Sequence, residues 1–124
     1  MAPRRPSVGY PKRGDVYLVR FDPPEGAEIS KTRRAVIIQN DVGNRFSDLT
    51  TAAPITSKYD TELYPTEVLV TAPEGGLKTD SVVLLNQIRA VDKRRLVRRL
   101  GALGPSTMSL VNEALAISVS LTAV

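Results

Sequence analysis

The chain has 124 residues, a formal net charge of +4, and neither cysteine nor histidine. That length fits one domain with one real hydrophobic core. The missing residue types exclude disulfides, thiolate nucleophiles, Cys- or His-based zinc sites, catalytic triads and histidine-run ribonuclease chemistry. A sequence pI near 9.7 admits a polyanion among the partners.

The charge is clustered. Residues 1–13 contribute +4, residues 89–99 contribute +5, and the remainder is mildly acidic at −5. The opening stretch carries Arg4, Arg5, Lys12 and Arg13 with three prolines, and no apolar run follows it. It is therefore expected to be a flexible basic arm over residues 1–11, not a secretory signal. One domain is expected over residues 12–124. No segment approaches the roughly 20 apolar residues of a membrane helix. The lack of cysteine is consistent with the cytoplasm, the expected location.

Strand signals come first along the chain. Asp15–Phe21 follows Gly14, is β-rich, and ends at Asp22-Pro23-Pro24. Ala35–Gln39 is a short apolar run with β-branched residues and reads as a buried strand. Asn40–Asp48 is expected to be a turn or loop. Leu49–Thr56 is the next strand, with Pro54 placing its end at an edge or bulge. Thr66–Val70 alternates polar and apolar. Glu74–Leu77 reads as a turn, and Ser81–Ile88 as another central strand.

Helices are expected late. Asp92 can cap a short helix from Lys93 to Leu100 that stops at Gly101. After Gly104-Pro105, Ser106 can cap a helix from Thr107 to about Leu121. Its stripe of Leu110, Ala114, Ile117 and Leu121 is widened by Met108, Val111, Leu115 and Val119. So broad an apolar surface needs two surfaces to bury against, the sheet and a second subunit. The reading is α+β, a small barrel-like antiparallel sheet with C-terminal helices.

Most enzyme signatures are missing. There is no P-loop, no GxSxG elbow and no carboxylate cluster at metal spacing, so neither a metal nor a cofactor is expected. What stands out is Glu28-Ile29-Ser30-Lys31-Thr32-Arg33-Arg34, one acid and three bases before a buried strand. Arg33 and Arg34 sit at the strand entrance and face opposite ways, because strand side chains alternate. If the two strands pair antiparallel through the Asn40–Asp48 loop, Arg33 and Thr56 share the end away from that loop, within reach of Glu28. A plainer reading is also open: Arg33 and Glu28 as a surface ion pair of small worth, and Thr56 as a hydroxyl capping a turn. The Lys93–Arg99 run reads as a solvated face or an anion-binding surface.

The sequence resembles the MazF/PemK (Kid) toxins of type II toxin–antitoxin systems. The likeness lies in Lys12–Tyr17, Glu28–Arg33 running into Ala35–Asp41, Ala53–Ser57, and Asp80–Arg89, and it spans about residues 12–120. It implies the small SH3-like β-barrel of CcdB/MazF/PemK-like toxins. It also implies a sequence-selective endoribonuclease that cuts single-stranded mRNA without a metal. Arg33 and Thr56 fall on the family's active-site arginine and threonine, and Glu28 on a loop acid near the scissile bond. Asn86 and Gln87 fall on an RNA-contacting stretch. Lys31, Arg34, Asn40, Arg45, Phe46, Ser57 and Lys58 complete the expected RNA-contacting set, with Arg45 and Phe46 as base readers. Arg34 stands where a proline is common, which removes a stiffening residue and adds a charge. Implied partners are a second copy of the chain and a MazE-like antitoxin with an acidic, flexible tail. DNA would be contacted only through the antitoxin complex, and no membrane is involved. Two rivals are a gyrase poison of the CcdB type and an RNA-binding barrel that does not cleave.

Overall fold

The computed structural model describes residues 10–21 and 32–124. Residues 1–9 of the expected arm and residues 22–31, with the site residues Glu28 and Lys31, lie outside the described residues, whereas Pro11, expected in the flexible arm, is fully buried. The strands are β1 (Asp15–Arg20), β2 (Thr32–Ile37), β3 (Leu49–Thr56), β4 (Glu67–Val70), β5 (Ser81–Leu84), β6 (Arg89–Asp92) and β7 (Leu96–Ala102). The helices are α1 (Asp41–Phe46) and α2 (Pro105–Ser118). Every described strand pair is antiparallel, in the order β4-β5-β3-β2-β1-β7, with β6 also on β3.

Alternation along the strands builds two cores, one on each side of the sheet. Tyr17, Val19, Ala35, Ile37, Ala52 and Val91 point into the barrel, with Phe21 and Leu96 beside them. Val16, Val36, Ala53, Ile55, Val68 and Val83 point the other way, onto Val111 and Ala114 of α2. Gly14 starts β1 at φ +94°, a conformation costly for other residues, and donates its N–H to the Ile37 carbonyl at 2.7 Å. Gly76 (φ +74°) and Gly101 let the turn at Glu74–Gly76 touch β7: a Cβ on Gly76 would overlap the Leu100 carbonyl, and one on Gly101 the Gly75 backbone.

Four expectations need correction. Asn40–Asp48 is not all loop. Asn40 Oδ1 accepts the Gly43 N–H at 2.8 Å, with Asp41 in the first turn and Arg45 in the last, and that capping closes the short helix α1. The strand expected over Ser81–Ile88 stops at Leu84. A 3-10 turn over Leu85–Gln87 then shifts the chain so that β6 can pair lower on the same edge of β3.

The helix expected from Lys93 to Leu100 is absent. Asp92 does cap, accepting the Arg94 N–H at 2.8 Å, but only a 3-10 turn over Lys93–Arg95 follows. Leu96–Ala102 instead becomes β7, because pairing with β1 satisfies that strand's open edge and brings Leu96 against the barrel core. Tertiary pairing here overrides local propensity. Finally, α2 begins two residues earlier than expected, with Gly104 as cap and Pro105 in the first turn, not with Ser106, and it ends at Ser118, short of Leu121. The Glu74 carboxylate replaces the side-chain cap, accepting the Gly104 N–H and the Thr107 hydroxyl, both at 2.9 Å. The sheet covers one apolar side of α2. Leu110 remains 52% and Leu121 79% exposed.

Candidate active site at the barrel mouth

The β2–β3 register pairs Ala35 with Pro54 and Val36 with Ala53. Continued two residues, it sets Arg33 level with Thr56, on the barrel side of the sheet. Both line a pocket of about 230 Å³ at the open end of the barrel, with Phe21, Pro54, Gln87 and Arg89. No carboxylate is among its described lining residues. The antiparallel hairpin expected from the sequence is therefore present, and it brings the guanidinium and the hydroxyl to one place.

Each group is held by its element. Arg33 is exposed at the start of β2, and Ala35 and Ile37 root that strand in the barrel core. A guanidinium is a fixed cation with a planar fork suited to phosphate oxygens. Thr56 ends β3, and its Oγ1 accepts the Lys58 N–H at 3.1 Å. The turn-capping role is real, then, and it coexists with a place in the pocket. With one lone pair committed to that N–H, the hydroxyl proton is left to donate, either to the Lys58 carbonyl at 3.3 Å or to a ligand oxygen. Gln87 is carried in by the Leu85–Gln87 turn, which the fully buried Leu85 anchors. Asn86, next to it, is exposed and lies outside the pocket lining.

Arg34 points to the opposite side. Its Nη1 donates to Ser81 Oγ at 3.3 Å, and that hydroxyl donates to the Thr79 carbonyl at 2.9 Å. The charge that replaces the family's common proline is thus engaged with β5 and stays outside the mouth. Ser57 and Lys58 line a neighbouring cleft of about 570 Å³ with Tyr59, Asp60, Tyr64 and Glu67. Asn40, Arg45 and Phe46 lie at the other end of the hairpin, an eight-residue strand away from Thr56, or about 23 Å. There Asn40 caps α1, and the Arg45 guanidinium sits 5.0 Å from the Phe46 ring centre.

Two pocket residues escaped the sequence reading. Arg89 appears in the sequence in a basic run and as the last residue of the Asp80–Arg89 likeness, and Phe21 as the end of a strand, neither with a role at the site. The register that lays Arg89 opposite Ala52, with its guanidinium 5.1 Å from the centre of the Phe21 ring, depends on the chain breaking at Leu85–Gln87. A single strand from Ser81 to Ile88 hides that placement. Among the described residues, no group of three or more acids is placed to hold a metal ion.

Fold and pocket together define a small α+β barrel with a cationic mouth, a site suited to a phosphodiester. Residues 12–119 match the model of the PemK-like, MazF-like toxins of type II toxin–antitoxin systems. The chain is 44% identical over 110 residues to endoribonuclease EndoA of Bacillus subtilis (strain 168), covering 89% of this chain and 95% of the relative. Among solved structures, it is similar to a mycobacterial endoribonuclease in complex with its cognate antitoxin, with 27% identity, a TM-score of 0.75, and coverage of 92% of this chain and 99% of that one. It is likewise similar to MazE–MazF from Deinococcus radiodurans, with 26% identity, a TM-score of 0.78 and the same coverage. The chain belongs to the PemK-like, MazF-like toxin family.

Proposed function

We propose that the barrel mouth is where this endoribonuclease toxin cleaves single-stranded RNA, by attack of a 2′-OH on the neighbouring phosphorus. The O–P bond to the 2′-oxygen forms as the P–O5′ bond breaks. The products are a 2′,3′-cyclic phosphate and a 5′-OH. The step needs alignment, stabilisation of the extra negative charge on the phosphorane, and two proton transfers. Arg33 supplies the stabilisation through two parallel hydrogen bonds to non-bridging oxygens and, as general acid, gives the leaving 5′-oxygen its proton. Thr56 donates to the phosphate or to the leaving oxygen. Glu28 is assigned the 2′-OH proton, as a base oriented by Arg33, or the orientation of its own segment of chain. Selection among sequences falls to unstacked bases, since A-form grooves hide them.

The observation that carries this reading is the shared pocket of Arg33 and Thr56, reached from β2 and β3 by strand register. Its test is cleavage of a long RNA in excess EDTA with 5′-OH ends mapped. Cutting that persists in EDTA, stops with a 2′-deoxy sugar at the scissile position and is lost in Arg33→Ala supports it. Undiminished cutting by Arg33→Ala refutes it. The active form is proposed to be a homodimer, with the exposed Leu110–Leu121 side of α2 available to the second copy. The proposed inhibitor is an antitoxin with an acidic tail that occupies the cationic mouth. No helix among the described residues is long and apolar enough to cross a membrane, and the cytoplasm is the proposed location.

A further inference from the structure

The barrel mouth holds a second guanidinium. Arg89 lies on β6 opposite Ala52, on the barrel side of the sheet, and lines the same pocket as Arg33. Its guanidinium sits 5.1 Å from the centre of the Phe21 ring, and that ring is only 5% exposed. A cation over a buried aromatic face is held in place at little entropic cost when a ligand arrives.

Arg33 and Arg89 straddle β3. Arg33 is rooted level with Thr56 and Arg89 level with Ala52, four residues apart along the strand, which is about 13 Å, and two strand spacings apart across it, about 10 Å. Arg89 is also tied to the Phe21 ring on its own side. Roots so far apart suit two successive phosphates of an extended strand better than one phosphate gripped twice.

We propose that Arg89 is a positioning residue that holds the phosphate next to the scissile one, leaving the scissile phosphate to Arg33 and Thr56. This rests on the reading of the mouth as the RNA-cleaving site. Arg89 fixes the strand's register in the pocket through Phe21, and its contribution is made equally in ground state and transition state. It therefore acts on KM and leaves kcat nearly unchanged.

The test uses the full chain and a single-stranded oligoribonucleotide containing one linkage that the unsubstituted protein cuts. Arg89→Gln is expected to raise KM about tenfold with kcat within about threefold, and Arg89→Lys to recover part of the loss. The slope of log KM against log salt should fall by about 0.7, the value for one phosphate contact on a single strand. A neutral methylphosphonate at the linkage beside the scissile one should raise the KM of the unsubstituted protein by the same factor and cost Arg89→Gln nothing further. Phe21→Leu, which keeps the apolar volume and removes the π face, should give a smaller rise. Thermal unfolding of each variant identifies any loss of fold. An unchanged KM in folded Arg89→Gln, a fall in kcat alone, or additive losses with the methylphosphonate would overturn the proposal. Failure of the underlying reading is separate: there, Arg33→Ala cuts at the full rate.

Discussion

Arg33 and Arg34 are adjacent in sequence and belong to different halves of the molecule. Arg33 faces the barrel and lines a mouth with Thr56, Gln87 and Arg89. Arg34 faces the α2 side and is spent on Ser81. The barrel side ends in an open pocket, where an exposed cation has no carboxylate beside it among the described lining residues. The other side closes over Val36, Ile55 and Val83 with α2 packed on it. One side therefore keeps charge available for a ligand, while the other converts charge into internal bonds. Strand alternation alone assigns the two roles.

The largest effect that sharpens this contrast is on catalysis. Arg33→Ala should lower single-turnover cleavage by about a hundred- to a thousandfold, the usual loss for one charge-stabilising donor. Its thermal midpoint should stay near that of the unsubstituted protein, since Arg33 is exposed. Next comes the floor beneath the mouth. Ile37 is fully buried in the barrel core, and Ile37→Ala should cost about 3 kcal/mol in denaturant titration. Arg34→Ala should be smaller, losing about 1 kcal/mol of stability with the Ser81 bond while cleavage is retained.

The smallest effect is confined to alkaline solution. Burial raises the Tyr17 phenol above its ordinary 10.0, Asp15 adds to the rise, and Arg99 opposes it. The folded chain thus holds that proton longer than the unfolded chain does. The resulting stability is fully present below about pH 10 and is lost as pH rises through the folded value. Tyr17→Phe should flatten that alkaline fall, and equal slopes for both proteins above pH 10 would contradict the assignment.

Much of the site was legible in the sequence because it depends on short-range rules. Ala35–Gln39 and Leu49–Thr56 read as strands, and a hairpin between them puts Arg33 and Thr56 together by counting alone. β3 runs over Leu49–Thr56 as expected. β7 was not legible, because Lys93–Leu100 has a capping Asp92 and basic residues compatible with a helix. What decides for a strand is the open edge of β1, a partner nearly eighty residues earlier in the chain. Arg89 was hidden for the same kind of reason: the break at Leu85–Gln87 follows from β3 serving two strands on one edge, not from any local signal. Asn40, Arg45 and Phe46 were expected to contact RNA, and the length of β3 sets them about 23 Å from Thr56.

The division of labour between the two faces is tested most directly by one measurement: single-turnover cleavage of the same RNA, in excess EDTA, by Arg33→Ala and Arg34→Ala side by side. The barrel-mouth account predicts a loss of about a hundredfold or more in Arg33→Ala and a rate within a fewfold of the unsubstituted protein in Arg34→Ala. Equal losses in the two variants, or full activity in Arg33→Ala, would contradict it.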